Sequence, residues 1–224
     1  MSKLILVRHG QSLWNKSHRF TGWTDVDLSE QGQIEANEAG KYIKSLNINL
    51  DMAFTSYLKR AVKTCWSILE KSDHHWIPVK NAWQLNERHY GALQGLNKKE
   101  TAEKHGADQV FKWRRGYDVF PPLLEKTDKT HPSKELRYKD IKNIPSGESL
   151  KTTQERVLPY WEENILPELK KGKNILVAAH GNSLRALLKH IENISDEDIP
   201  GIEIPTGKPI IFDYNNGTFS RESD

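Results

Sequence analysis

The sequence has little cysteine, since Cys65 is the single cysteine among 224 residues. One cysteine excludes a disulfide within the chain, and the apolar helical stripe around Cys65 predicts a buried thiol that packs instead of reacting. No run of about 18 uncharged apolar residues is present, so we expect no membrane span. The N-terminal MSKLILVRHG has too short an apolar stretch for a secretory signal. We therefore expect a cytoplasmic protein.

A strong charge of one sign is also missing from the sequence. The formal net charge is +3, with 28% charged and 36% hydrophobic residues. Lysine and arginine are scattered and form no basic block, which argues against binding to nucleic acid. The hydrophobic content is sufficient for a substantial core, so we predict a single domain over residues 1–224.

The common signatures of metal and nucleotide sites are absent as well. The sequence contains no H-E-x-x-H, C-x-x-C or His-x-His spacing that would complete a metal site. The segment Gly201–Lys208 (GIEIPTGK) comes nearest to a P-loop, but it has five residues between its glycines, and Pro209 stands where a P-loop needs serine or threonine. We expect neither a metal ion nor a nucleotide cradle.

Apolar runs that are too short for helices alternate with segments of helical periodicity. Strands are predicted for Lys3–Val7, Met52–Thr55, Ile77–Val79 and Asn174–Ala179, and a hairpin for Pro209–Arg221. Helices are predicted after Ser29 with Ile34, Ala39, Tyr42, Ile43 and Leu46 on one face, from Leu58 to Leu69, from Ser149 with a kink or restart at Pro159, and from Leu184 to Ile191. The alternation predicts a three-layer α/β fold, with a mostly parallel central sheet between helices and an antiparallel edge strand.

The stretch 83–148 interrupts this alternation. It is polar, contains several prolines, and shows two short helical segments around Lys98–His105 and Asp108–Arg115. Long irregular segments in compact domains are commonly lids or binding loops. We predict that this stretch is an inserted helical and loop segment that lies over the active site.

Two buried strands are each predicted to end in the pattern His-Gly-x-Ser. The run LILVRHGQS leads to His9, and the run LVAAHGNS leads to His180. Ligands of open α/β sheets bind beyond the carboxyl ends of the strands, so both imidazoles are expected in one crevice if the strands are neighbours. Histidine is a common metal ligand, but a metal centre here would need further ligands that the spacing does not supply.

Several arginines fall near these strand ends. Arg8 adjoins His9, Arg60 lies at the start of the helix after the second strand, and Arg114 and Arg115 lie on the inserted segment. The planar guanidinium matches phosphate oxygens and keeps its charge near neutral pH. The combination of these arginines with two histidines indicates an anionic substrate that carries phosphate.

Phosphoryl transfer is the chemistry that fits these residue types. A neutral imidazole can attack phosphorus and carry the phosphoryl group as a phosphohistidine. Positive neighbours favour the neutral imidazole and stabilise the charge of the transferring group. A carboxyl group would move a proton to and from the oxygen that leaves or attacks, and Glu87 in NERHYGALQG is the best candidate for it.

Six motifs carry a family resemblance. They are RHGQSLWN, FTGWTDVDLS, TSYLKRAVKT, ERHYGALQGLNK, KWRRG and AAHGNSLRAL, in this order. With them the sequence resembles the histidine phosphatase superfamily and, within it, the 2,3-bisphosphoglycerate-dependent phosphoglycerate mutases. The resemblance implies interconversion of 3-phosphoglycerate and 2-phosphoglycerate, a step of glycolysis and gluconeogenesis. It also implies a phosphohistidine enzyme, a 2,3-bisphosphoglycerate intermediate that serves as primer, and no metal.

The resemblance also implies roles for individual residues. His9 would be the phosphorylated nucleophile and Glu87 the proton donor and acceptor, while Arg8, Arg60 and His180 would surround the phosphoryl group. The residues expected to bind the rest of the substrate are Ser12, Asn15, Thr21, Gly22, Arg88, His89, Tyr90, Lys98, Arg114, Arg115, Gly181 and Asn182. A homo-oligomer is expected, with a dimer favoured.

Other functions are compatible with part of this pattern. A phosphomonoester phosphatase or a bisphosphoglycerate mutase/phosphatase of the same superfamily would share the histidines and arginines, although a broad phosphatase needs no second anion cradle. A non-enzymatic binding module would not need His9, Glu87 and His180 together. Relatives often carry a C-terminal tail that helps to close the site, whereas this sequence ends at Asp224. We therefore expect measurable hydrolysis of the phosphoenzyme.

Overall fold

The computed structural model describes residues 2–222, in which six strands form one mixed sheet. The strands are β1 (Ser2–Arg8), β2 (Met52–Thr55), β3 (Val79–Asn81), β4 (Ile175–Ala179), β5 (Pro209–Asn215) and β6 (Thr218–Arg221). The helices are α1 (Leu13–Lys16), α2 (Glu30–Ser45), α3 (Lys59–Lys71), α4 (Lys98–His105), α5 (Ala107–Arg115), α6 (Leu150–Tyr160), α7 (Leu166–Lys170) and α8 (Gly181–Ile191).

The strand order in the sheet is β3-β2-β4-β1-β5-β6. The strands β3, β2, β4 and β1 are parallel to one another. β5 pairs antiparallel with β1, and β6 pairs antiparallel with β5. In the turn between β5 and β6, Asn216 and Gly217 have φ values of 48° and 91°, the left-handed geometry of a tight hairpin. The predicted α/β fold with a mostly parallel sheet, flanking helices and an antiparallel edge is confirmed.

The parallel pairing of β1 with β4 brings the two His-Gly-x-Ser patterns together. Arg8 pairs with Ala179 at the end of this ladder, and the backbone N–H of His9 donates to the carbonyl of Ala179 at 2.9 Å. The carboxyl ends of these two neighbouring strands, which are the middle strands of the sheet, therefore meet side by side. The expectation that His9 and His180 share one crevice required that β1 and β4 be neighbours, and they are.

Alternating side chains of β1 point into two separate apolar clusters. Leu4 and Leu6 pack with α6 and α8, whereas Ile5 and Val7 pack with α2 and α3. Each of these four side chains is fully buried, and such burial stabilises a fold by about 1.5–3 kcal/mol per side chain. The sheet is thus covered on both faces, which makes β1 and β4 rigid supports for the residues that follow them.

Two local predictions were wrong. Ile34 and Tyr42 of α2 are exposed, and α2 approaches α3 closely at Gly40, which lies next to Ile68 and Lys71. A Cβ on Gly40 would lie 2.7 Å from the Cβ of Lys71, so a large side chain does not fit there. The third strand begins at Val79 instead of Ile77, since Ile77 is buried from the preceding turn and does not join the ladder.

The stretch 83–148 contains α4, α5 and short 3₁₀ turns, and no strand occurs in this described part of the chain. Both predicted short helices are confirmed, with α4 capped by the Asn97 side chain. Farther along, Ser149 caps α6, and the chain passes after Pro159 through a π-helical turn at Trp161–Ile165 before α7 begins. The predicted disturbance at Pro159 is therefore confirmed. Within residues 2–222, no helix is both long and apolar enough to span a bilayer.

Candidate active site

His9 is the residue that immediately follows β1, and it is buried. Its Nδ1 lies 2.7 Å from the carbonyl oxygen of Gly10. Because a carbonyl only accepts, Nδ1 carries the ring proton and donates it, which leaves a lone pair on Nε2. Nε2 accepts from Nε of Arg60 at 3.3 Å.

The pKa of His9 is held well below its usual value, mainly by burial and further by the charges of Arg60 and Arg8. The imidazole is therefore neutral, with Nε2 as its nucleophilic atom.

His180 follows β4 and packs edge-on against His9, with ring centroids 4.9 Å apart. Its Nε2 lies 2.7 Å from Oγ of Ser56, which also accepts from the backbone N–H of Leu58. Its Nδ1 is buried and has no hydrogen-bond partner among the described residues. Burial, followed by the charge of Arg60, holds the pKa of His180 well below its usual value. A neutral ring with an unused nitrogen is thus available beside His9.

Arg60 and Arg8 place two guanidinium groups around His9. Arg60 lies in the first turn of α3 and is anchored by the carbonyls of Gly22 and Thr24, at 2.8 and 3.0 Å. Burial lowers the pKa of Arg60 to about 10, so it stays charged at neutral pH. Arg8 donates from Nη1 to the carbonyl of Ile204 at 2.8 Å, and its buried Nε has no partner within the described part of the chain. That unused donor is available for an anion.

Glu87 lies in an irregular segment after β3 and contributes a carboxylate to the same place. Its Oε1 accepts from the backbone N–H groups of Arg88 and Asn182, at 2.8 and 3.0 Å. Burial raises the pKa of Glu87, but these N–H groups together with Arg60 and Arg8 outweigh burial and lower it overall. Within residues 2–222, Oε2 receives no hydrogen bond from a side chain or a backbone group. Glu87 is therefore ionised when no anion is present.

His9, Arg8, Arg60 and Glu87 open into a cavity with about 590 Å³ of space free of protein atoms, counting solvent at its mouth, whereas His180 lies behind His9 and does not line it. The cavity is lined by Arg8, His9, Asn15, Arg19, Thr21, Gly22, Arg60, Glu87, Tyr90, Lys98, Arg114, Arg115, Gly181, Asn182 and Arg185. Seven of the lining side chains in the described residues are Lys or Arg, and one is a carboxylate. Burial, with the nearby charges of Arg114 and Arg8, lowers the pKa of Lys98. A ligand with several negative charges fits such a lining.

Three of the predicted substrate contacts do not line the cavity. Ser12 is fully buried and caps α1, where its Oγ accepts from the backbone N–H of Asn15 and thereby positions that residue. Arg88 is fully buried and donates to the carbonyls of Arg114 and Gly116, at the end of α5. His89 accepts at Nδ1 from the backbone N–H of Gly91. In this structure the three residues support the wall of the cavity from behind, and their contact with the substrate stays a prediction.

Two cavity residues were missing from the sequence prediction, Arg19 and Arg185. Arg19 donates to the carbonyl of Gly95 at 2.7 Å. Arg185, on α8, donates to Oδ1 of Asn182 at 2.8 Å and to the carbonyl of Ile202 at 3.0 Å. Burial and the nearby charge of Arg115 lower the pKa of Arg185 to about 10. A signal for Arg185 was present, because it follows Gly181 by four residues and Asn182 by three, which places all three on one face of α8.

The arrangement supports nucleophilic phosphoryl chemistry without an obvious metal cluster. Among the residues that the structure describes, no group of three or more His, Cys, Asp or Glu side chains could hold a metal ion. Cys65 is buried in the core, and burial raises the pKa of its thiol to about 12. A thiolate nucleophile is thus not formed at this position near neutral pH.

Sequence comparison places the chain among known proteins. The model of the family described as the histidine phosphatase superfamily (branch 1) matches residues 4–131 and 124–223. A protein of Lactiplantibacillus plantarum, named 2,3-bisphosphoglycerate-dependent phosphoglycerate mutase 2, is 58% identical over 217 residues, which cover 96% of this chain and 94% of that protein. The similarly named mutase of Enterococcus faecalis is 56% identical over 224 residues, which cover 99% of this chain and 98% of that protein.

Structure comparison finds the same fold in more distant proteins. A protein of Bacillus stearothermophilus named YhfR has a TM-score of 0.75 at 22% identity, covering 99% of this chain and 95% of that one. A mycobacterial glucosyl-3-phosphoglycerate phosphatase complexed with VO3 also has a TM-score of 0.75, at 20% identity, covering 100% of this chain and 98% of that one. At these identities the likeness shows the fold alone, whereas the sequence matches are near full length. The chain therefore belongs to the histidine phosphatase superfamily and, within it, to the 2,3-bisphosphoglycerate-dependent phosphoglycerate mutases.

Proposed function

We propose that this protein interconverts 3-phosphoglycerate and 2-phosphoglycerate, with 2,3-bisphosphoglycerate as its primer. The observation that carries the proposal is the cavity, where Nε2 of a neutral His9 and the carboxylate of Glu87 share one space with seven cationic side chains among the described residues. The names of the two relatives at 58% and 56% identity support the same activity.

The lining fits a ligand with two phosphoryl groups and a carboxylate. Near His9 the unused donors are Nε of Arg8 and, on Thr21, the buried Oγ1, both without a partner within residues 2–222. Farther from His9 stand Lys98, Arg114 and Arg115, which could hold the distal anionic groups together with Asn15, Arg19 and Asn182. When bound, the bisphosphate supplies the phosphoryl group that primes the enzyme.

His9 would act as the nucleophile. Its Nε2 attacks phosphorus, an N–P bond forms, and the P–O bond to the glycerate oxygen breaks. The proton stays on Nδ1, which donates it to the carbonyl of Gly10, and this hydrogen bond fixes the ring orientation in both directions of the transfer. Arg8 and Arg60 stabilise the charge on the phosphoryl oxygens. With Oγ of Ser56 donating to Nε2 of His180, the ring proton lies on Nδ1, which would add a donor at the same group.

Glu87 would move the proton that balances each transfer. A bound phosphoryl group beside Glu87 adds negative charge, which raises the pKa of the carboxyl group toward the range where it is protonated. The protonated carboxyl group then donates to the oxygen that leaves during priming. In the reverse direction the carboxylate takes the proton from the hydroxyl that attacks phospho-His9.

An enolase-coupled assay with 3-phosphoglycerate tests the activity. Strong stimulation by 2,3-bisphosphoglycerate, with a rate that EDTA leaves unchanged, is the expected result. Release of inorganic phosphate, measured in parallel, reports the expected hydrolysis of the phosphoenzyme. Phosphate release that exceeds formation of 2-phosphoglycerate would identify a phosphatase, and a strict need for Mn²⁺ would contradict the metal-free reaction.

We also propose that the stretch 83–148 covers the site within a single domain of residues 1–224. Tyr90, Lys98, Arg114 and Arg115 of this stretch line the cavity, which supports a role in closing over the ligand. Limited proteolysis with and without 2,3-bisphosphoglycerate provides the test. We expect the ligand to protect this stretch, and cleavage that is unchanged by ligand would argue against a cover.

A homodimer in the cytoplasm completes the proposal. In support of a dimer, β3 is an edge strand, and Trp66 and Trp76, which precede it in the chain, are 60% and 74% exposed. Open edges and large exposed apolar side chains are typical of surfaces that pair with a second copy. Sedimentation velocity of the protein and of a Trp76→Glu variant tests the dimer, and cell fractionation tests the location.

A further inference from the structure

Arg156 lies on α6, outside the lining of the cavity, and binds the backbone that carries Glu87. Its Nη1 donates to the carbonyls of Gln84 and Asn86, at 2.6 and 3.1 Å. Its Nη2 donates to the carbonyl of Glu87 at 2.9 Å. One guanidinium group therefore fixes three carbonyls within four residues of the chain.

A buried carboxylate holds this guanidinium in place. Glu148 accepts from Nε and Nη2 of Arg156 at 2.6 and 2.8 Å. The side chain of Arg156 is 8% exposed and that of Glu148 is 4% exposed. Oε2 of Glu148 also accepts from the backbone N–H of His89 at 2.7 Å. The ion pair thus contacts the chain on both sides of Glu87.

Trp23 supports the same backbone from another direction. Its Nε1 donates to the carbonyl of Glu87 at 2.6 Å, and the guanidinium of Arg156 lies 5.6 Å from the centre of its ring. The carbonyl of Glu87 therefore accepts two hydrogen bonds. The residues between the 3₁₀ turns Trp83–Leu85 and Gly91–Leu93 belong to no helix or strand, so their polar groups need partners of this kind.

We propose that Arg156, paired with Glu148, is a positioning residue that fixes the backbone of Glu87 so that its carboxyl group can exchange a proton with the substrate oxygen. This inference rests on the proposed role of Glu87. A lysine keeps the charge of Arg156, but its single ammonium lacks the planar fork that spans the three carbonyls and the carboxylate. A displacement of about 1 Å at a catalytic group can cost about 100-fold in rate.

A double-mutant cycle between Arg156→Lys and Glu87→Gln provides the test. The readout is the single-turnover rate constant for phosphorylation of His9 by 2,3-bisphosphoglycerate, because a rate constant does not depend on the fraction of folded enzyme. We expect Glu87→Gln to lower it about 100-fold or more, and Arg156→Lys to lower it about 10- to 100-fold. In the Glu87→Gln background, Arg156→Lys should lower it by less than about twofold.

The matched control is Val157→Ala, which removes buried apolar contacts at the next residue of α6. Val157→Ala should lower Tm, change the rate constant by less than about twofold, and act equally in both backgrounds. If Arg156→Lys does not fold, Glu148→Gln takes its place in the cycle. If Arg156→Lys, or Glu148→Gln in its place, lowers the rate constant by the same factor in the wild-type and Glu87→Gln backgrounds, the inference is overturned. A wild-type rate constant in Glu87→Gln alone would instead overturn the proposed role of Glu87.

Discussion

At the scale of single residues, the chemistry depends on the neutral state of His9. Burial and two arginines hold the pKa of His9 well below its usual value, and Gly10 fixes the proton on Nδ1. We expect His9→Ala to abolish both the phosphoenzyme and the mutase activity, since no other buried imidazole has this arrangement within residues 2–222. Incorporation of labelled phosphate from 2,3-bisphosphoglycerate measures the phosphoenzyme, and the enolase-coupled assay measures the mutase activity. His190→Ala, at an exposed position late in α8, is the control that should keep both.

Arg185 is one of the two cavity residues, with Arg19, that the sequence prediction did not include. It lines the cavity and orients Asn182 through a 2.8 Å hydrogen bond. Loss of a charged donor to an anion costs about 1.5–3 kcal/mol, so Arg185→Gln should raise KM for 3-phosphoglycerate about 10-fold or more. Steady-state kinetics measures this, with Arg221→Gln in β6 as an arginine control outside the cavity. An unchanged KM would show that Arg185 does not contribute to substrate binding.

The sequence alone indicated which chemistry surrounds His9, because strand ends and arginine positions can be read directly. Glu87 followed from its place after the third strand, and the more distant contacts followed from the family resemblance. The sequence could not show that Arg88 and His89 bind backbone groups instead of lining the cavity. Their direction depends on which carbonyls and amides the irregular backbone leaves without partners, and that is a property of the folded chain.

At the scale of elements, the close approach of the chain after β1 to the start of α2 positions His9. A Cβ on Gly10 would overlap the carbonyl oxygen of Gly32, and one on Gly32 would overlap the carbonyl oxygen of Gln11. Because both neighbours are backbone atoms, Gly10→Ala should lower the free energy of unfolding by about 3 kcal/mol. Urea unfolding measures this loss. Gly201→Ala, whose Cβ would meet nothing within 4 Å, should stay within about 0.5 kcal/mol; equal effects of the two would refute the packing argument.

Periodicity located the helices and strands better than it located their contacts. The pattern of α2 predicted burial for Ile34, yet the tight contact with α3 selects small residues and turns that side chain outward. The edge strand β3 was displaced by two residues, because apolar content marks burial of Ile77 and not its pairing. Pro159 was informative because its effect is local: a missing N–H and a ring clash disturb any helix.

At the scale of the whole molecule, the alternation of strands and helices was sufficient to predict the layered sheet. It did not fix the order of the strands. The pairing of β4 between β1 and β2 brings His180 beside His9 across most of the chain length. Such long-range pairing depends on the packing of all helices on the sheet, which short sequence windows do not contain.

Three of the four buried histidines, His9, His89 and His180, lie at or behind the active site and should make the folded molecule sensitive to mild acid. Burial is the largest cause that lowers the pKa of His9, His89 and His180, with His89 at about 3. Above the unfolded-state pKa of about 6.5 both states are neutral, so these groups do not affect stability there. Below it the unfolded chain binds protons that the folded state excludes. From about pH 7 to about pH 5.5, these three groups should therefore lower the free energy of unfolding by about 4 kcal/mol, and His131, whose pKa burial also lowers, should add to the fall.

The pH window separates this effect from the carboxylates. Glu87 has a lowered pKa, so its stabilising contribution is lost as the pH falls below its ordinary value of 4.5, outside the interval considered for histidine. Urea titrations at several pH values measure the slope. His89→Asn keeps an acceptor for the backbone N–H of Gly91 and removes one titrating group, so it should reduce the acid-induced loss by about 1.3 kcal/mol. A flat stability between the two pH values, or an unchanged loss in His89→Asn, would show that the buried imidazoles take up protons in the folded state.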